Sequence, residues 1–192
     1  VNRTLPSDLS QLVSYQPIRG SSVLSSDGEL IGRFSIQNRR IVALDRMPSH
    51  VPAAFIAAED RRFWQHGGFD IFGIGRAAWA NLKSDGITQG GSTLTQQIIK
   101  QTILAGEEQE LIGLVGEARV AEAKRQKYRR KAKEVILAVR VERELSKADI
   151  LTIYLNHIYL GNGAYGVAAA AAALVGKTVQ NLTIAEAAML AG

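Results

Sequence analysis

The sequence predicts a mainly α-helical fold with a short β-hairpin near its N-terminus. Three observations predict it. Apolar residues recur at helical spacing at Val135, Ile136 and Val139 and again along Lys147–Asn156. Helix-start chemistry recurs too: Ser92 and Thr93 can cap a helix, and Thr183 with Glu186 has capping-box spacing. The strand signal is confined to Ser22–Leu24 and Glu29–Phe34, which flank Asp27-Gly28, a strong turn pair.

Composition sets the outer limits. At 192 residues the chain fits one domain, with room for two lobes, and can bury a sizeable core. Its 46% hydrophobic content is too high for a disordered tail. With 23 Lys and Arg against 18 Asp and Glu, the net charge is +5, which suits an anionic partner. Aromatics are only 6%, too few for a base-stacking strand binder, so nucleic acid is not an expected partner. The absence of cysteine excludes a disulfide framework, and three scattered histidines (His50, His66, His157) argue against zinc. No run reaches the roughly 18–20 apolar residues that would span a bilayer.

Taken in order, residues 1–20 read as a polar lead-in with Pro6 and Pro17, and 21–192 as the folded domain. Val1 and Gly192 both look like cut ends, with an anchor removed ahead of the first. Pro48 and Pro52 introduce the first major helix, which carries Glu59. Residues 69–87 hold Phe69, Ile71, Phe72, Ile74, Trp79, Leu82 and Ile87 among three glycines. That stretch reads either as a core helix or as an apolar lip resting on a membrane. Gln89–Gln97 opens on Gly90-Gly91 and leads into a helix whose N-terminus favours anions, with Gln96, Gln97 and Lys100 one turn on. It lacks the phosphate-binding Gly-x-x-x-x-Gly-Lys spacing. An acidic cluster (Glu107, Glu108, Glu110) precedes a basic run from Lys124 to Lys133. Arg130 and Glu134 are i,i+4 neighbours able to pair. The longest uncharged run, Leu160–Gly176, reads as a buried helix.

Phe55–Asp70 is chemically the densest stretch. An apolar run meets Glu59-Asp60, then Arg61-Arg62, Phe63-Trp64, His66 and Gly67-Gly68. A carboxylate where packing gives way to open space loses solvation and becomes a candidate general base. The arginines oppose that change or bind an anion. The glycines end the helix and admit a close approach to the backbone. A salt-bridged helix end accounts for the same residues.

These segments, in this order, resemble the peptidoglycan glycosyltransferases of glycosyltransferase family 51, from about residue 20 to the end. The five matching stretches are Glu59–Phe63 with His66, Gly68 and Asp70; Gly90–Gln97; Arg130–Glu134; Ile150–Asn156 with Tyr159–Gly161; and Leu182–Gly192. The Asp27-Gly28 turn ahead of Pro48 is most similar to the N-terminal module of class A penicillin-binding proteins. The resemblance implies a lysozyme-like helical lobe and a smaller membrane-facing jaw lobe. It implies an inverting transferase that polymerises lipid II into β-1,4 glycan strands and expels undecaprenyl pyrophosphate. Glu59 would be the general base and Glu134 a second catalytic carboxylate, orienting cations or holding a divalent ion (Mg2+ or Mn2+). Lys100, Arg130 and Lys131 would stabilise the pyrophosphate. Asp60, Arg62, Phe63, His66, Ser92, Thr93, Gln97 and Asn156 would shape the substrate cleft. Expected partners are lipid II, the nascent lipid-linked glycan and the membrane surface, with other cell-wall synthesis proteins as candidates. The expected location is the outer face of the bacterial cytoplasmic membrane, anchored by a helix outside this chain.

The sequence departs from the family pattern in three places. The link from Lys100 to Arg130 is long, and Gln126 falls near a position where the family carries a cation. Leu174-Val175 stands where an aromatic pair is usual. No Ser-x-x-Lys occurs, so the chain contains no penicillin-reactive centre. A lysozyme-like cleaving enzyme could also use Glu59, but would have little use for the cations. A non-enzymatic binder of anionic membranes would explain the charge alone.

Overall fold

The structure, a computed structural model, describes residues 21–34, 37–83, 90–105 and 116–192. The lead-in at 1–20, the acidic cluster Glu107, Glu108 and Glu110, and Ile87 lie outside the described residues. In chain order the elements are β1 (Ser21–Leu24), β2 (Leu30–Phe34), β3 (Asn38–Arg39), α1 (His50–Glu59), α2 (Ile71–Lys83), α3 (Leu94–Gln101), α4 (Gly116–Glu144), α5 (Lys147–His157), β4 (Ala164–Tyr165), α6 (Val167–Ala170) and α7 (Ile184–Ala191). The described chain is thus mainly helical with minor short strands. The expected hairpin is present: β1 and β2 pair antiparallel from Ser21↔Phe34, and the Gly28 N–H closes the turn onto the Ser25 carbonyl at 3.0 Å.

Contacts divide the described residues into two compact units, Arg62–Ile150 and residues 21–61 with Leu151–Gly192. In the first, α3 packs on α4. Phe63, Leu94, Ile99 and Leu137 are fully buried there. Each such side chain contributes about 1.5–3 kcal/mol relative to leaving it in water. In the second, α1 packs on α7, and Phe55 meets Tyr154 of α5 edge-on with ring centroids 6.3 Å apart. His50, in the first turn of α1, donates through Nε2 to the Leu182 carbonyl ahead of α7 at 2.7 Å. Pro52 also sits in that first turn, where its missing N–H breaks no helical bond.

The structure corrects two expectations and removes one of the two readings of a third stretch. Leu160–Gly176 is not one helix. Gly161, Asn162, Gly163 and Gly166 all take positive φ, so only Val167–Ala170 is α-helical, followed by a π turn over Ala171–Val175. Ala164–Tyr165 instead pairs parallel with Asn38–Arg39, a contact between distant parts of the chain. Helix α1 ends at Glu59, well before Gly67-Gly68, so those glycines do not terminate it. Nor is the 71–83 segment a core helix: Ile71, Phe72, Trp79 and Leu82 are all exposed, Leu82 by 85%. Among the described residues no helix is long and apolar enough to cross a membrane.

Candidate active site

Glu59 is the last residue of α1 and is exposed. Ala57 and Ala58 beside it are exposed as well, so this end of the helix is open to solvent at Glu59. Its charge is felt inside the same unit. Tyr154 is 1% exposed, and its hydroxyl is pushed well above the ordinary phenol range, first by burial and then by the Glu59 carboxylate. Phe55 and Glu59 are one turn apart on α1, so the ring that packs on Phe55 lies along the face that carries Glu59. Asp60 caps the helix with its N–H on the Ile56 carbonyl at 3.0 Å, and is buried.

Asn156 belongs to this second unit. Its Oδ1 accepts the Val42 N–H at 2.9 Å, while Nδ2 donates to the carbonyls of Val42 at 2.9 Å and Thr152 at 2.8 Å. Both amide hydrogens are therefore committed to backbone. Any effect of Asn156 on a cleft passes through the segment after β3 that it pins at Val42.

In the first unit, the turn that follows Arg62 is tied down by buried polar groups. Gly68 has φ +89, and a Cβ there would lie 2.5 Å from the Ala138 carbonyl carbon of α4. Only glycine permits that approach. The Gly68 carbonyl accepts from Thr93 Oγ1 at 2.9 Å and from Gln96 Nε2 at 3.4 Å. The Gly68 N–H donates to His66 Nδ1 at 3.2 Å, which places the ring proton on Nε2. Around His66 stand Glu142 at 3.9 Å and Lys147 at 3.5 Å. Glu142 is itself satisfied by Lys147 at 2.6 Å and by Thr95 Oγ1. Phe63 is fully buried, with the Lys147 ammonium 4.4 Å above its ring. Arg62 stacks its guanidinium 4.4 Å over Phe72 and approaches Asp70 at 3.7 Å. Within this unit, then, Phe63 and His66 form a buried support and Arg62 a partly exposed cation.

The second cluster of the first unit centres on Lys131. Its ammonium donates to Ser92 Oγ at 2.7 Å, Gln96 Oε1 at 3.0 Å and Glu134 Oε2 at 3.0 Å. Arg130 Nε lies 3.6 Å from the other Glu134 oxygen. Glu134 is buried, and two cations compensate a carboxylate that would be costly to bury alone. Thr93 is the N-cap of α3, in a full capping box with Gln96. Ser92 does not cap; its hydroxyl faces Lys131. Lys100 is exposed in the last turn of α3, and Gln97 is half-buried on the same helix. Structure thus gathers Ser92, Arg130, Lys131 and Glu134, expected from sequence, and adds Gln96, which sequence reasoning noted without assigning it to the site. Its position three residues after the N-cap was the available signal.

The arrangement can hold an anion. A cation on a polar, partly exposed edge, with buried partners behind it, suits a phosphate oxygen. The profile of the family described as Transglycosylase matches residues 27–192. The chain belongs to that family, glycosyltransferase family 51. Among its relatives, this transglycosylase chain is 42% identical over 191 residues to penicillin-binding protein 1A of Aquifex aeolicus (strain VF5), covering 100% of the chain and 24% of that protein. It is also 42% identical over 188 residues to penicillin-binding protein 1A of Neisseria gonorrhoeae, covering 98% of the chain and 21% of that protein. The chain therefore spans about a quarter or less of the length of these relatives.

The donor set of this transglycosylase bears on the divalent ion expected at Glu134. Among the described residues no group of three or more His, Cys, Asp and Glu side chains gathers. Both Glu134 oxygens already face cations, and a dication there would sit against the Lys131 ammonium. The described residues around Glu134 do not fit a resident metal.

Proposed function

We propose that this transglycosylase domain polymerises lipid II into β-1,4 glycan strands, with inversion at the anomeric carbon. Lipid II is the acceptor and the lipid-linked chain the donor. Glu59 takes the proton from the acceptor sugar 4-hydroxyl as that oxygen bonds to the donor anomeric carbon. The bond from that carbon to the pyrophosphate breaks, and undecaprenyl pyrophosphate leaves with the electron pair. The observation that carries this reading is the Lys131 cluster, in which segments matching two family motifs hold a cation ready for an anion. Pyrophosphate leaves well once its charge is stabilised, so positive charge serves it better than a strong acid. Lys131, Arg130 and Lys100 supply that charge, and Glu134 orients the first two. An exposed Glu59 suits a base that meets its hydroxyl only when substrate arrives.

The same reading assigns the helices to a lysozyme-like lobe and a smaller membrane-facing lobe. The exposed apolar side chains of α2, beside Lys83, support placing that helix against the outer face of the cytoplasmic membrane. The test is polymerisation of purified lipid II in liposomes by this chain and by its Glu59→Gln variant, both checked for folding by circular dichroism. The expected result is long glycan from the parent and a rate lower by at least about 100-fold in the variant. Equal rates would remove Glu59 as the base. Shortening of added glycan, with none made, would identify a cleaving enzyme instead.

A further inference from the structure

An ammonium has three N–H donors, and all three on Lys131 are used: on Ser92, Gln96 and Glu134. A phosphate oxygen can therefore bond to Lys131 only by displacing one of them. The three acceptors are not equivalent. Gln96 is 1% exposed and Glu134 5%, so neither could turn to water if released, and an orphaned buried acceptor is costly. Ser92 is only half-buried, and a hydroxyl both accepts and donates.

We infer that Gln96 is a positioning residue for Lys131: a buried, neutral acceptor that keeps the ammonium in place while its Ser92 bond is exchanged for a bond to an anionic pyrophosphate oxygen. The inference rests on the reading of Lys131 as a pyrophosphate-binding cation. Neutrality is the central property. Glu134 already sets one negative charge against Lys131 and Arg130. A second carboxylate at position 96 would cancel the remaining positive charge that an anion must find. An amide accepts from Lys131 without doing so. It also supplies the Nε2 donor that the Gly68 carbonyl takes up, which an ionised carboxylate lacks. Gln96 thus links the turn at Gly68 to the lysine through one side chain.

The experiment measures binding of inorganic pyrophosphate by titration calorimetry at fixed ionic strength. It compares the 192-residue chain with Gln96→Met, Gln96→Glu, Lys131→Met and, as the loss of a helix cap in the other unit, Thr183→Ala. Lys131→Met and Gln96→Met should each weaken binding by about tenfold or more, the scale of one lost charge-assisted hydrogen bond. Thr183→Ala should bind as the parent does. Gln96→Glu should bind more weakly still at pH 8, and its deficit relative to the parent should shrink as pH falls to 5. Protonation would then restore a neutral acceptor with one donor, a signature that simple loss of packing does not produce. If Gln96→Met fails to fold, the pH course of Gln96→Glu decides. Parent-like binding by Gln96→Met beside weak binding by Lys131→Met overturns the role of Gln96 alone, as does a pH-independent deficit in Gln96→Glu. Parent-like binding by Lys131→Met overturns the reading of Lys131 itself.

Discussion

Two helices in this chain start in the same way and are used differently. Helix α3 opens on Thr93 and Gln96, α7 on Thr183 and Glu186, and both form complete capping boxes. Each box also receives a lysine on its closing residue: Lys131 on Gln96 at 3.0 Å, Lys177 on Glu186 at 2.7 Å. Solvent separates them. Thr93 and Gln96 are buried, whereas Thr183 is exposed and Glu186 partly so. In water a carboxylate is the better closing group, because charge strengthens its bonds to the Thr183 N–H and to Lys177 at little desolvation cost. In the interior an amide serves better. It avoids a buried charge and offers a donor to the Gly68 carbonyl. One motif therefore stabilises a helix end in α7, and in α3 becomes part of a binding cluster.

The comparison breaks most visibly at two glycines, Gly68, whose carbonyl the α3 box holds, and Gly176, which precedes the lysine on the α7 box. Gly68 and Gly176 both hold positive φ, +89 and +71. Around Gly176 a Cβ would meet nothing within 4 Å, but at Gly68 it would press into the Ala138 carbonyl group of α4. Gly176→Ala should cost about 1–2 kcal/mol, the strain of a left-handed residue. Gly68→Ala adds a backbone collision to that strain and should cost more than about 4 kcal/mol or prevent folding. Urea unfolding of both variants checks this. Equal midpoints would mean that the α4 backbone gives way easily and that the turn at Gly68 is not rigidly held.

A smaller difference is expected at the caps. Thr183→Ala removes one exposed cap bond and should cost about 1 kcal/mol. Thr93→Ala removes a buried one and also takes away the 2.9 Å donor to the Gly68 carbonyl, leaving it the weaker bond from Gln96. Its cost should be about 2–3 kcal/mol. Calorimetric melting of the pair tests the order. A reversed order would show that the buried box is supported mainly by packing of Leu94 and Ile98.

How much of this could be read from sequence depends on how local the cause is. The hairpin was legible because Asp27-Gly28 fixes its own turn. The α7 cap was legible from Thr183 and Glu186, and α5 from its periodicity. Leu160–Gly176 misled because an uncharged run reports burial, not conformation, and the glycines within it set the backbone. The β3–β4 bridge left no local mark at all. Ser92, Arg130, Lys131 and Glu134 were named from motifs, yet that Lys131 would have all three of its donors engaged could not be. Gln96 was noted with Gln97 and Lys100 one turn past the helix start but given no role, since its role depends on where α4 brings Lys131. The exposure of Glu59 was not legible for a related reason: an apolar approach along α1 does not tell how the helix end is covered.

The finest contrast lies in the response to acid. Lys177, through its hydrogen bond, and then the Thr183 N–H hold the Glu186 carboxyl down to about 2 from an ordinary value of 4.5. A carboxyl depressed by folding adds stability that is fully present above its unfolded value and is lost as pH falls through its folded one. The contribution of Glu186 should therefore be intact at pH 6, decline below 4.5 and be gone near 2. Gln96, being an amide, adds no such slope to its own box. Melting temperatures of the parent and Glu186→Gln, measured from pH 6 to pH 2, should differ most at pH 6 and converge toward pH 2. The gap at pH 6 should narrow in 1 M salt, since the Lys177 pair faces solvent and is screened. A gap that stays constant with pH would place the benefit of Glu186 in its shape rather than its charge, and the two boxes would then differ only in burial.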